Sequence, residues 1–265
     1  MIASDELLER VRSRGFTVVP DALARDSVPR LRERLEQLAE EDLRLWTERP
    51  YPGLEGAPYP DGWMVHNPFT RSPEFAALLE NEAMHAYLSP LLGATCTLYA
   101  YTTSSMPPGG TNLSARVHVD SPRWIPDYPT NVGVIFPLDD FTDDNGATYF
   151  LPRSHLSPDA PTEAEFFAGA ERVYPRAGDM VVFNARTYHF GGTNRTGRAR
   201  HAITLNVCRS YMKQRFDYPR LTPKEVVDAL GPVGRRFLGF DTRVPASLAE
   251  YFVPPERRLY KPNQG

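Results

Sequence analysis

Apolar residues recur at two different periods along this chain, and the change of period divides it. Asp5 to Arg14 places Leu7, Leu8 and Val11 on one side of a helical wheel, and Gly15 stops the helix. Phe16 to Val19 then predicts a short strand. A longer helix is expected from Ser27, with Pro29 in the first turn and Leu31, Leu35 and Leu38 forming one apolar stripe, the mark of a core face. Arg49 to Trp63 is rich in Pro, Gly and Tyr and reads as a loop near the mouth of a site. Pro73 to Glu80 and Asn81 to Leu88 predict two short helices.

Past residue 94 the period falls to two, the spacing of strands. Thr95 to Ser104 is one strand. In Ser114-Ala-Arg-Val-His-Val-Asp120, Val117 and Val119 alternate with Arg116, His118 and Asp120, which predicts a half-buried strand with a polar face. Gly178-Asp-Met-Val-Val-Phe183 is a third strand, ending near His189. In Arg200 to Val207 a polar face of Arg200, Ala202, Thr204 and Asn206 backs onto Ile203, Leu205 and Val207. After Tyr211 a helix is expected around Pro223 to Leu230, followed by a proline-rich tail. Twenty-six prolines argue against a helical bundle or a regular α/β barrel.

Composition narrows the classes. A chain of 265 residues fits one β-rich catalytic domain over 1–265, with a helical and loop part at 1–94, a core at about 95–211 and a helix and tail at 212–265. Thirty basic against 33 acidic residues leave a net charge of −3, which gives no footprint for nucleic acid or an anionic membrane. Two cysteines, Cys96 and Cys208, are too few for a disulfide framework. With no run of ~20 apolar residues and no apolar signal core, a soluble, cytoplasmic protein is expected.

The chemistry rests on few residues. His118 and Asp120, two apart on a strand, reach one cation from the same face, and His189 arrives from elsewhere. Two imidazoles and a carboxylate leave three positions open on a metal, as non-haem Fe(II) oxygenases require. Zinc hydrolases also use such sets, but their helical H-E-x-x-H is absent.

These residues sit in flanks that resemble the phytanoyl-CoA dioxygenase branch of the Fe(II)/2-oxoglutarate-dependent oxygenases. Gly15 to Arg32 is similar to the family's opening strand and helix, and Pro137 to His155 to its hairpin, with Asn145-Gly146 and Pro152-Arg-Ser-His155 in place. The resemblance implies a mainly β fold with flanking helices, built on a double-stranded β-helix (jelly roll, cupin-like) core. It also implies Fe(II) held by His118, Asp120 and His189, and 2-oxoglutarate whose distal carboxylate pairs with Arg200. Two positions depart from the pattern. Arg153 stands where glycine is common, and Gly191 where a Ser or Thr often assists the arginine, so Thr193 or Thr204 is the expected helper. Asp120 is retained, which argues against halogenation.

Further assignments are coarser. Tyr101, Thr103 and Ser105 alternate along a strand and are candidates for the other end of 2-oxoglutarate, with plain cross-strand packing as an equal reading. His66, Asn67, Trp124 and Asn206 are candidates for contact with an organic substrate, while His85, His155 and His201 read as structural. No basic cluster near the predicted mouth suits the phosphates of coenzyme A, because Glu55, Asp61 and Asp127 are equally present. The expected function is therefore a dioxygenase that uses Fe(II), 2-oxoglutarate and O2 to hydroxylate an unactivated C–H bond of a small organic molecule, a natural-product intermediate. The alternatives are a cupin-like metalloenzyme without 2-oxoglutarate and a non-catalytic jelly-roll binding or sensor protein.

Overall fold

The computed structural model describes residues 3–57 and 64–264. Trp63 and the 58–63 end of the expected loop, Asp61 included, lie outside the described residues.

Among the described residues, eight strands form two antiparallel sheets. They are β1 (Phe16–Val19), β2 (Thr97–Met106), β3 (Asn131–Pro137), β4 (Tyr149–Phe150), β5 (Glu171–Arg172), β6 (Met180–Asn184), β7 (His189–Phe190) and β8 (Arg200–Cys208). The larger sheet has the order β1-β6-β3-β8-β2 and the smaller β5-β4-β7. A single bridge between His118 and His189 extends the smaller sheet beyond β7. From β2 onward the chain crosses repeatedly between the sheets, which makes this a jelly roll.

Alternation along β6 shows how the sequence supports two layers. Val181 and Phe183 point between the sheets, where they pack with Phe16, Ile135, Phe150 and Ala202. Met180 and Val182 join the opposite core with Leu98, Val132, Ile203, Leu205 and Val207. That second core is closed by α1 (Asp5–Arg14), α2 (Ser27–Glu48), α3 (Pro73–Ala77) and α4 (Glu82–Leu92), through Leu8, Leu35, Leu38, Phe75 and Leu88. Burying each such Leu or Phe stabilises the fold by about 1.5–3 kcal/mol. The stripe on α2 therefore is a core face, as its spacing predicts.

Caps explain several boundaries. The Ser4 hydroxyl accepts from the Leu7 N–H at the start of α1, and Gly15 ends that helix at φ 98°. Asn81 Oδ1 accepts from the Met84 N–H, so α4 begins at Glu82. It runs on to Leu92 with Pro90 inside, four residues past the expected end. The helix expected at Pro73–Glu80 splits into α3 and a 3-10 turn, Leu78–Glu80. Glu163–Gly169 forms α5, which was not expected although its capping box, Thr162 with Glu165, is written in the sequence. The helix expected around Pro223 to Leu230 forms as α7 (Lys224–Ala229), with α6 (Tyr218–Leu221) before it and α8 (Pro232–Phe237) after it.

The strand expected at Ser114–Asp120 contracts to the one bridge at His118. Its backbone is nevertheless held on both sides. The His118 N–H donates to His189 O at 3.0 Å and the Asp120 N–H to Ala185 O at 2.9 Å. No described helix is long and apolar enough to cross a membrane.

Candidate active site

His118, Asp120 and His189 converge from two elements, the bridging segment and β7, and their ligand atoms all lie within 4.8 Å of one another. Asp120 Oδ1 is 3.6 Å from His118 Nε2 and 3.8 Å from His189 Nε2. A cation with bonds of about 2.1 Å would place neighbouring ligand atoms roughly 3 Å apart, so a small closure completes the set. Both rings are already oriented for it. His118 Nδ1–H donates to Arg116 O at 2.8 Å and His189 Nδ1–H to Thr187 O at 3.0 Å, which leaves each Nε2 lone pair facing the carboxylate. Burial, and next the neighbouring His189, push His118 down to about 4, so at neutral pH the ring is neutral, the form that binds metal. The residues fit a divalent metal of the non-haem iron type.

Arg200 lies in the same cavity, which has a volume of about 400 Å³. Its guanidinium is buried, lies 4.0 Å over the Phe141 ring, and donates from Nη2 to Gly146 O at 3.1 Å. Burial lowers it to about 10, so it still carries its charge at neutral pH. No carboxylate lies within ion-pair distance among the described residues; Asp139 acts on it only from farther away. A buried guanidinium in this state can bind an anion.

Neither Thr193 nor Thr204 bonds to Arg200. Thr193 is exposed, and Thr204 lines the cavity but shares a 2.7 Å hydrogen bond with Thr102. A Cβ on Gly191 would collide with Ser114 Oγ, so the hydroxyl of Ser114 fills the space a side chain there would need. Ser114 lines the cavity and its role was missed, because only the fold brings residue 114 against 191. Arg153 takes the positive φ, 66°, of the turn where glycine is common, and its N–H donates to Arg14 O at 2.8 Å.

The remaining candidates divide by strand parity. Asn206 and His66 line the metal cavity, as do Tyr99, Thr102 and Ser104. Tyr101, Thr103 and Ser105 do not: they pair with Leu205, Ile203 and His201 on the face of β2 and β8 turned away from the metal. Tyr101 donates to Phe75 O, Thr103 accepts from the Val65 N–H, and Ser105 bonds His201 Nδ1. The polar run Tyr101-Thr-Thr-Ser-Ser105 has no apolar face to set its orientation, and a bulge between Leu98 and Ala100 fixes it instead. Asn67 is also corrected. It is buried beside His66 with its backbone N–H on Tyr101 O, and it does not line the metal cavity. Trp124 lines a different cavity altogether. Asp127 goes with it, and the metal cavity carries Arg116 and Arg215 with Asp120 as its one carboxylate among the described residues, so its mouth is more basic than the sequence suggests.

His85, His155 and His201 stay away from the triad. His155 and His201 are buried and His85 is half-buried, and each is pushed below its ordinary range chiefly by desolvation.

Comparison with known proteins adds an independent finding. The family model for phytanoyl-CoA dioxygenase (PhyH) matches residues 11–202. The chain is 30% identical over 266 residues to the uncharacterised protein Rv1501 of Mycobacterium tuberculosis, covering 98% of this chain and 96% of that one. It is 29% identical over 184 residues to the dioxygenase aneA of Aspergillus aculeatus, covering 63% and 59%. Its fold is similar to that of AviO1 from Streptomyces viridochromogenes, with a TM-score of 0.60 at 25% identity over 80% of this chain and 98% of the other. It also matches the fold of SnoN, a non-heme alpha ketoglutarate dependent epimerase from nogalamycin biosynthesis. There the TM-score is 0.57 at 21% identity, covering 77% and 82%.

Proposed function

Because the chain belongs to the phytanoyl-CoA dioxygenase family, matched over residues 11–202, we propose that it is an Fe(II)- and 2-oxoglutarate-dependent dioxygenase. It acts as one catalytic domain and hydroxylates an unactivated C–H bond of a small organic molecule, a natural-product intermediate. The observation that carries this reading is the shared cavity, in which the two Nε2 atoms and the Asp120 carboxylate face one point and the buried Arg200 supplies a cation beside it.

His118, Asp120 and His189 would hold the metal, and when bound there Fe(II) with 2-oxoglutarate and O2 supplies the oxidation, with succinate and CO2 as coproducts. Arg116 O and Thr187 O fix the two rings, so the ligands are set before a metal arrives. Arg200 binds the distal carboxylate of 2-oxoglutarate, and the apolar ring of Phe141 beneath it keeps water from screening the charge. Tyr99, His66 and Asn206 line the remaining space and orient the substrate. Asn206 Oδ1 is itself held by Asn131 Nδ2 at 2.7 Å. A cavity of about 400 Å³ suits a small molecule.

The test is succinate formation from 2-oxoglutarate under Fe(II) and air. His118→Ala and His189→Ala should each lose metal and at least 100-fold of the turnover. Turnover of a substrate without 2-oxoglutarate would favour the cupin-like alternative, and metal binding with no turnover of 2-oxoglutarate under any substrate would favour the sensor.

A further inference from the structure

A second cavity, of about 570 Å³, lies between α1, the end of α4 and the loop at 121–130. It is separate from the metal site although the two share strand ends. Asp120 and Phe183 line the metal cavity, and their immediate neighbours Ser121 and Asn184 line this one.

Its lining is strongly basic. Arg12, Arg123, Arg186 and Arg209 line it against a single carboxylate, Asp127. None of the four has a carboxylate within ion-pair distance among the described residues, whereas Arg14, Arg32, Arg34 and Arg71 elsewhere are each paired. Arg186 is the decisive one. It is only 7% exposed, and Nη2 donates to Ser157 O and Pro158 O, but its buried Nε and Nη1 have no hydrogen-bond partner. Capping those two carbonyls accounts for one nitrogen of three. A buried guanidinium nitrogen left without an acceptor is costly, and an oxyanion admitted by a small side-chain shift would take the Nη1–H while Arg123 supplies a second donor. Trp124 and Tyr128 add aromatic walls, the latter already fixed under Arg209 at 3.6 Å.

We infer that this cavity binds a small organic oxyanion, its phosphate or carboxylate group held by Arg186 and Arg123 and its apolar body against Trp124 and Tyr128. The loop that frames the cavity starts directly after Asp120. The N–H groups of Asp120 and Ser121 both donate to the carbonyl of Ala185, the residue before Arg186. An anion here would thus brace the segment that carries a candidate metal ligand, and the inference holds whichever reaction the metal site performs.

The experiment is calorimetric titration of the intact, Fe(II)-loaded chain, kept anaerobic, with phenyl phosphate and in parallel with benzoate. Saturable one-site binding is expected for at least one of them, weakened tenfold or more by Arg123→Gln and by Arg186→Gln and unchanged by Arg200→Gln. The tighter of the two probes identifies the oxyanion as phosphate or carboxylate. Arg123 is exposed, so its variant decides the matter if Arg186→Gln fails to fold. No saturable binding of either probe, or binding that survives Arg123→Gln and is lost in Arg200→Gln, would overturn the inference.

Discussion

At the scale of single residues, the candidate site places charge in buried surroundings with no carboxylate partner among the described residues. Arg200 is the clearest case, a buried cation stacked on Phe141 and bonded to backbone carbonyls. Arg200→Met keeps the length and removes the charge, so metal should still bind while 2-oxoglutarate affinity falls. Losing a charge-assisted pair at a buried site costs about 2 to 4 kcal/mol, roughly 30-fold to several hundred-fold. Anaerobic titration of the charge-transfer absorption of the metal with 2-oxoglutarate reads this directly; an unchanged curve would remove Arg200 from the cosubstrate site. Gly191 makes a second prediction. Any Cβ there meets Ser114, so Gly191→Ala should destabilise the fold by about 1–3 kcal/mol in chemical denaturation, as overpacking does.

At the scale of elements, the parity of β2 decides which hydroxyls serve the site and which serve the core. Thr103 accepts from the Val65 N–H at 2.9 Å in a buried position. Thr103→Val therefore orphans that N–H and should cost about 1–3 kcal/mol of stability while leaving 2-oxoglutarate affinity as it is. Thr102 faces the cavity and bonds Thr204, so Thr102→Val should act on ligand binding more than on the denaturation midpoint. Both variants, measured for both quantities, separate the two faces of one strand. Reversed effects would mean that β2 presents its other face to the cavity, and equal effects that parity does not separate the two hydroxyls.

At the scale of the whole molecule, burial of histidines away from the metal makes stability depend on pH. His85, His155 and His201 sit on different elements, and in each the charged form is disfavoured chiefly by desolvation. Their folded values lie below the ~6.5 of the unfolded chain. Between those values the unfolded state binds protons that the folded state does not, so stability is complete above pH ~6.5 and declines as pH falls below it. The melting temperature of the metal-free protein should accordingly drop between pH 7 and pH 5. His85→Gln, which retains a donor for Leu79 O, should flatten that slope; a slope unaltered by this change would exclude His85 as a contributor.

The candidate metal set, His118, Asp120 and His189, can be read along the chain. The two-residue spacing of His118 and Asp120, a third ligand following a β-branched run, and an arginine on the polar face of the last strand are local patterns, and local patterns survive in a one-dimensional string. The helix stripe Leu31, Leu35 and Leu38 was readable for the same reason: apolar periodicity is itself the cause of which face is buried. Positions whose fate depends on a distant partner were not. Tyr101, Thr103 and Ser105 are polar like their alternating neighbours, so only pairing with β8 and the bulge near the start of β2 determine which set faces the candidate metal ligands. Ser114 opposite Gly191, and the four guanidinium groups gathered from α1, the 121–130 loop, the segment after β6 and the end of β8, are juxtapositions of residues far apart in the chain. Sequence alone determined the ligand types and the layers they sit in; the closure of two sheets on each other decided which side chains share a cavity, because contact across a fold is set by packing and strand register and by no property of the residues taken singly.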